Sequence, residues 1–335
     1  MIFSVSLPPE ILNKMILNLT LLIVGLVLIL LGANYLVEGS SSIAKKFGLS
    51  EFVIGLTIVG IGTSTPEMVV SFMSAFQGKS DMALGNIVGS NIVNTLLILG
   101  VTALISPLLI TRQNIKRDIP LNIAVTALLL LLGMKESIFG IGSDRLSRWD
   151  GALLLAIFGW YLWISLRTRN DEIPEDEESS EIKLYPYWKS GLFIAGGLAG
   201  LIIGGRMFVN SASSLAIAWG ASEKFIAVTI MAVGTSMPEL ATCIVAALKG
   251  RGQLALGNIL GSNISNIILI LGGAALINPI SFSSITTMDA AMLFFAAVFI
   301  FVTAFTFVKK KIDRVEGAIL LGLEIVYVSY LITNL

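Results

Sequence analysis

Long apolar runs, interrupted at fairly regular intervals by short polar stretches, dominate the chain, and a membrane-spanning helix needs roughly 20 mostly apolar residues. Ten segments fit that description: 16 to 38, 52 to 76, 82 to 105, 119 to 134, 149 to 166, 190 to 218, 225 to 248, 253 to 277, 286 to 308 and 314 to 333. Polarity is sustained in one stretch only, 168 to 189, which contains DEIPEDEESSE and cannot bury enough apolar surface to fold by itself. It reads as a solvated linker between two five-helix halves, 1 to 167 and 190 to 335. It lacks the alternating acids and central glycine of an EF-hand loop, so calcium sensing is the minor reading for it.

The halves are copies. GLTIVGIGTSTPEMVVSFMSAFQGKSDMALGNIVGSNIVNTLLILG, residues 55 to 100, recurs without a gap as AVTIMAVGTSMPELATCIVAALKGRGQLALGNILGSNISNIILILG, residues 227 to 272, at an offset of 172. Ser50-Glu51 meets Ser222-Glu223 at the same offset, and RWDGALLL from Arg148 meets RVEGAILL from Arg314 at a slightly shorter one. A unit of five spans is odd, so its second copy enters the membrane from the opposite side. The expected fold is an all-α membrane protein of ten transmembrane helices in two inverted-topology repeats, with helices 2 and 7 broken.

Composition agrees with a lipid solvent: 55% of the 335 residues are hydrophobic and 13% charged, and the mean hydropathy is +0.88. Lys and Arg number 22, as do Asp and Glu, so no excess positive charge argues for a nucleic-acid partner. The distribution of cations along the chain is more informative. With the N-terminus outside, Lys45, Lys46, Arg112, Lys116, Arg117, Arg167, Arg169, Lys183, Lys189, Lys249, Arg251, Lys309, Lys310, Lys311 and Arg314 fall on the cytoplasmic side. The outer side keeps Lys14, Lys79, Lys135, Arg145, Arg148 and Lys224. Both termini are therefore expected outside, the linker inside, and the chain in the plasma membrane as a monomer. Its start lacks a basic region before the first apolar run, so no cleaved signal is expected. The single cysteine, Cys243, allows no internal disulfide.

Within helix 2, GIGTSTPE buries Glu67 in an apolar span, and AVGTSMPE does the same with Glu239 in helix 7. An acid at the bilayer centre costs about 2.5 to 3.5 kcal/mol on insertion scales, and no Lys or Arg is at hand in helices 2, 3, 7 or 8 to offset it. A bound cation would. Pro66 and Pro238 lack an amide hydrogen and are expected to release the carbonyls of Gly62 and Gly234, while Thr63, Ser64, Thr235 and Ser236 add hydroxyl oxygens. In helices 3 and 8, ALGNIVGSNIVN and ALGNILGSNISN put Ser90 with Asn94, and Ser262 with Asn266, on one helical face. Gly85, Gly89, Gly257 and Gly261 read as packing positions, and Asn86, Asn91, Asn258 and Asn263 fit packing or the site equally. An all-oxygen inventory in a chain without histidine suits Ca²⁺ or Na⁺, not zinc or copper. Arg206 and Glu324 have no counterparts in the other half and are expected to form a structural pair or to snorkel.

The doubled GTSxPE and GNxxGSNxxN segments resemble the alpha-repeats of the sodium/calcium exchanger family, prokaryotic type, within the cation/calcium antiporter superfamily. The resemblance covers most of the chain. It implies that helices 2, 3, 7 and 8 hold the ions while helices 1 and 6 slide. It makes Glu67 and Glu239 the central ligands, completed by Thr63, Ser64, Ser90, Thr235, Ser236 and Ser262, with the backbone carbonyls near Gly60 and Ala232 and with Asn94 and Asn266 at the middle of the cluster. Some family members, potassium-dependent and some prokaryotic exchangers among them, carry aspartate at the position of Asn266; the neutral residue here argues against K⁺ co-transport, so Na⁺/Ca²⁺ exchange without K⁺, electrogenic and needing no cofactor, is the implied activity. Two alternatives stand beside it. A Ca²⁺/H⁺ antiporter could use the same buried acids, although that branch usually has GNxxE where GTSTPE and GTSMPE stand; a non-transporting membrane scaffold would leave the duplicated acids without purpose. An enzyme has no support, for there is no phosphate-binding GKS/T loop and no histidine.

Overall fold

Polar breaks in the hydrophobic pattern become helix ends. The computed structural model describes residues 9–167, 182–219, 232–306 and 310–334. Its elements are α1 (Pro9–Phe47), α2 (Glu51–Thr63), α3 (Thr65–Phe76), α4 (Ser80–Ile105), β1 (Leu108–Leu109), α5 (Ile119–Gly133), α6 (Lys135–Phe139), β2 (Arg145–Leu146) and α7 (Arg148–Arg167). After the linker come α8 (Tyr187–Ala218), α9 (Ala232–Thr235), α10 (Met237–Leu248), α11 (Gly252–Ile277), β3 (Ile280–Ser281), α12 (Thr287–Thr303), β4 (Lys311–Ile312) and α13 (Arg314–Asn334). Linker residues 168 to 181 and the first part of the expected helix 7, residues 225 to 231, lie outside the described residues.

Among the described residues six helices are long and apolar enough to cross a membrane, and seven if the bent pair α2–α3 is one span. The difference from ten has a local cause in each case. The fourth segment forms α5, of 15 residues, behind a π-helical turn over Asn114–Asp118 that carries Lys116, Arg117 and Asp118, the seventh is divided at Ser236, and α12 has 17 residues. In the other direction, α1 and α8 run to 39 and 32 residues. At 1.5 Å per residue both exceed the roughly 30 Å of a hydrocarbon core.

The repeated RWDG and RVEG segments have a structural meaning. Ser147 and Asp150 form a reciprocal cap at the start of α7, with Ser147 N donating to Asp150 Oδ2 at 2.8 Å and Asp150 N to Ser147 Oγ at 3.3 Å. Asp313 and Glu316 repeat it at α13, with Asp313 N donating to Glu316 Oε2 at 2.7 Å and Glu316 N to Asp313 Oδ1 at 3.1 Å. The following glycines are needed for close approach: a Cβ on Gly151 would lie 2.6 Å from the Gly272 carbonyl, and one on Gly317 2.8 Å from that of Gly100. Gly100 and Gly272 are themselves related by the offset of 172, so α7 lies on α11 as α13 lies on α4.

Burial separates centre from rim. In the most apolar windows of α4 and α11, 78% and 83% of residues are buried, against 17 to 28% for α1, α7, α8 and α13. The outer helices turn Trp160, Trp163, Ile203, Ile325 and Val326 outward, an apolar surface suited to lipid. Two short antiparallel straps tie the halves together, Leu108 opposite Ile312 in one and Arg145 opposite Ser281 in the other. The longest contact joins α1 and α8 as antiparallel neighbours: Gly25 meets Gly204, Gly32 meets Gly197, and Gly39 meets Ser190. Because α8 packs along α1 and α13 along α4, Arg206 and Glu324 do not pair. Arg206 is exposed on α8, and Glu324 is buried on α13.

Candidate cation site

Helix α2 bends by 48° into α3. The hinge is Ser64, at φ −77° and ψ 11°, with Pro66 in the first turn beyond it. A proline there removes an N–H that a helix start leaves unbonded anyway, so the break is cheap and sharply located. Ser236 is the matching hinge between α9 and α10, at φ −88° and ψ 8°, with Pro238 following. One expectation fails at the first hinge. The Gly62 carbonyl is not free, because Thr65 Oγ1 donates to it at 2.7 Å. Position 237 is methionine, so the second hinge has no such donor from the corresponding side chain.

The hinges bring both carboxylates to the protein centre, where Glu67 and Glu239 are each 1% exposed. Each is bonded across the repeat boundary. Ser64 Oγ donates to Glu239 Oε1 at 3.0 Å and Ser236 Oγ to Glu67 Oε1 at 3.5 Å, while Ser90 Oγ donates to Glu67 Oε1 at 3.4 Å. Thr235 stands beside Glu67, and Thr63 and Ser262 beside Glu239. Ser262 Oγ also donates to the Gly60 carbonyl at 3.2 Å, an oxygen that Thr63 Oγ1 approaches at 3.3 Å. Ala232 opens α9, and its side chain is outside the described set. None of the ion pairs among the described residues involves either glutamate.

Asn94 and Asn266 each begin a π-helical turn, over Asn94–Ile98 and Asn266–Leu271. A π turn inserts one residue into the helical ladder and shifts the face that follows, a feature found often at functional positions. Both asparagines are bonded by asparagines of the other half: Asn94 Nδ2 donates to Asn263 Oδ1 at 3.2 Å and Asn266 Nδ2 to Asn91 Oδ1 at 2.9 Å. What remains is four buried oxygens without a hydrogen-bond partner: Glu67 Oε2, Glu239 Oε2, Asn94 Oδ1 and Asn266 Oδ1. Buried polar atoms are normally satisfied. These are four of the twelve such atoms among the described residues, two of them on carboxylates, and they belong to residues bonded through Ser64, Ser90, Ser236, Asn91 and Asn263, a donor set suited to a hard cation.

The remaining motif positions divide between packing, support and open space: Gly85 and Gly89, expected as packing positions, have no atom within 4 Å of an ideal Cβ. Gly257 and Gly261 let α11 touch the backbone of α2, with ideal Cβ positions 2.3 Å from the carbonyls of Phe52 and Leu56. Asn258 accepts from Thr63 Oγ1 at 3.1 Å and donates to Cys243 Sγ at 3.2 Å, and Asn86 donates to the Glu67 carbonyl at 3.3 Å and to Ser71 Oγ at 3.2 Å. Asn91 and Asn263 belong to the central network. The spacing within GSNxxN could not decide this, since it depends on how α4 and α11 cross.

The profile of the family described as "Sodium/calcium exchanger protein" matches residues 17–167 and 189–333. The chain belongs to that family. It is similar to the putative antiporter CaxA of Alkalimonas amylolytica, 38% identical over 89% of this chain and 93% of that one. It is also similar to the sodium/calcium exchanger MaX1 of Methanosarcina acetivorans, 33% identical over 94% and 97% of the two chains. Its fold superposes on the sodium-calcium exchanger NCX_Mj soaked with 2.5 mM Na⁺ and 10 mM Sr²⁺, with a TM-score of 0.80 and 31% identity over 94% of this chain and 99% of that one. The exchanger family comprises transporters and not enzymes, and its members are multi-pass membrane proteins.

Proposed function

We propose that this chain exchanges Na⁺ for Ca²⁺ across the membrane by alternating access, without K⁺, through ten helices arranged as two inverted five-helix repeats. The observation that carries this reading is the group of four unpartnered oxygens of Glu67, Glu239, Asn94 and Asn266 in a buried, cation-free centre. The two carboxylates balance one Ca²⁺, and the hydroxyls of Thr63, Ser64, Ser90, Thr235, Ser236 and Ser262, with the carbonyls of Gly60 and Ala232, supply the remaining oxygens for Ca²⁺ or Na⁺. Na⁺ and Ca²⁺ compete for the same carboxylates, so each displaces the other. Crossing lipid with both acids bare is the costly path, which leaves the loaded states to carry the transition. Replacing one Ca²⁺ with more than two Na⁺ moves net charge, worth about 2.3 kcal/mol per 100 mV for each charge.

Asymmetry between the halves supports an arrangement closed on the cytoplasmic side. Helix α1 packs along α10, where Lys249 Nζ lies 2.8 Å from Glu38 Oε1, and the charge count assigns this side to the cytoplasm. The matching contact of α8 with α3 has no comparable extent among the described residues. With the termini outside, the contact of α1 with α10 closes the protein on its cytoplasmic side, and Glu67 and Glu239 are buried in this arrangement.

The deciding measurement is ⁴⁵Ca²⁺ uptake by proteoliposomes loaded with Na⁺ and diluted into Na⁺-free buffer, beside choline-loaded and pH-gradient controls. Uptake that requires internal Na⁺ is the expected result. Uptake driven by the pH gradient alone transfers the protein to the proton-coupled branch, and absence of uptake under both gradients refutes Ca²⁺ as the substrate.

A further inference from the structure

The central asparagines present an orientation problem that the carboxylates do not have. A carboxylate offers oxygen at both ends, whereas an amide offers oxygen at one end and two N–H donors at the other, in nearly the same shape. If the NH₂ of Asn94 or Asn266 faced the glutamates it would bond to them and oppose a cation. The structure holds the amides the other way. Asn94 Nδ2 is bonded to Asn263 Oδ1 and Asn266 Nδ2 to Asn91 Oδ1, which leaves Asn94 Oδ1 and Asn266 Oδ1 without partners. Ser90, one turn before Asn94, bonds Glu67, and Ser262, one turn before Asn266, stands beside Glu239. The free oxygens are therefore on the helix faces that carry the glutamate contacts.

Asn91 and Asn263 are themselves fixed. Asn91 Nδ2 donates to the Asn263 carbonyl at 3.1 Å, and Asn263 Nδ2 donates to Thr95 Oγ1 at 2.9 Å. With both donors engaged in this way, the Oδ1 of each is left to face the opposite repeat's central asparagine. All of these side chains are 3% exposed or less, so no bulk water can replace a lost acceptor. Turning Asn94 over would set its oxygen against the oxygen of Asn263 and leave its NH₂ to find the carboxylates.

We infer that Asn91 and Asn263 are positioning residues that set the polarity of the site, each holding the central asparagine of the other repeat with its oxygen toward the transported cation. This rests on the exchanger reading above and adds residues outside the proposed ligand set. The arrangement makes a specific demand: the positioning residue matters only while the central residue is an amide.

The test is a double-mutant cycle on purified full-length protein, with Ca²⁺ binding read by calorimetry and folding followed by size exclusion and thermal melting. Asn263→Ala is expected to weaken Ca²⁺ binding tenfold or more. In the Asn94→Asp background, where both ends of residue 94 are oxygen, the same substitution is expected to change binding by less than threefold. Asn91→Ala should behave likewise with Asn266→Asp. Should Asn263→Ala fail to fold, Thr95→Val removes the acceptor that anchors Asn263, keeps the side-chain shape, and should show the same dependence on residue 94. Equal losses in the Asn and Asp backgrounds, or no loss in the Asn background, overturn the positioning role while leaving the exchanger reading in place. Wild-type protein that binds no Ca²⁺ overturns that reading and this inference with it.

Discussion

Glu67 and Glu239 are bonded by serines from the opposite repeat, so each half of the protein completes the acid of the other. Charge, and not shape, is what glutamine would remove at these positions. The Glu67→Gln and Glu239→Gln proteins should therefore fold, yet show no Ca²⁺ flux. Thermal melting gives a second measure. Ca²⁺ at a hundred times its dissociation constant stabilises a binding protein by about 2.7 kcal/mol, and that increment should vanish in both variants. A Ca²⁺-dependent rise in melting temperature equal to that of the wild type would remove the acids from the site. Both glutamates were legible in the sequence, because a charged residue inside a long apolar run without a countercharge already calls for explanation. The roles of Asn91 and Asn263 were not, since their partners lie about 170 positions away in the chain and become neighbours only when α4 crosses α11.

At the scale of elements, the repeat itself was plain in the sequence, but the physical content of its parts varied. RWDG and RVEG appeared as copied text, and only the structure reveals a helix cap followed by a close-contact glycine. This gives a stability prediction. Gly317→Val would put a Cβ 2.8 Å from the Gly100 carbonyl, a backbone atom that cannot turn aside. The expected result is displacement of α13 from α4 and a loss of about 1 to 3 kcal/mol or more, the range for overpacking a close contact. Gly322, which has no atom within 4 Å of an ideal Cβ, is the control: Gly322→Ala should be neutral or slightly stabilising by melting temperature. The π turns at Asn94 and Asn266 were invisible beforehand, because one extra residue per turn leaves no mark on composition or hydrophobic period. The carbonyl of Gly62 was misjudged for a related reason: proline removes one donor, but the neighbouring Thr65 hydroxyl supplies another.

Across the whole molecule, the pair α1–α8 sits against one half more than the other, and an ion pair is part of that contact. Glu38 receives Lys249 at 2.8 Å through one oxygen and the Tyr185 hydroxyl at 2.6 Å through the other. The offset of 172 maps Glu38 onto Asn210 and Lys249 onto Gln77, two neutral amides, both exposed in this structure. If the halves exchange conformations, Asn210 approaches Gln77 as Glu38 leaves Lys249, and an ion pair is traded for an amide contact. The energy at stake is modest, because the Lys249 and Glu38 side chains are 28% and 26% exposed and such pairs are worth about 0.2 to 1 kcal/mol. Lys249→Gln should therefore shift the population toward the opposite state by up to about fivefold, less at high salt. A Gln77→Cys and Asn210→Cys pair in a Cys243→Ser background reads that state directly, by the rate at which a short thiol cross-linker joins the two positions. Faster cross-linking on addition of Lys249→Gln, with the difference shrinking as salt is raised, is the expected outcome. An unchanged rate would mean that the glycine contacts between α1 and α8, and the packing of α1 along α10, hold this arrangement without help from the ion pair.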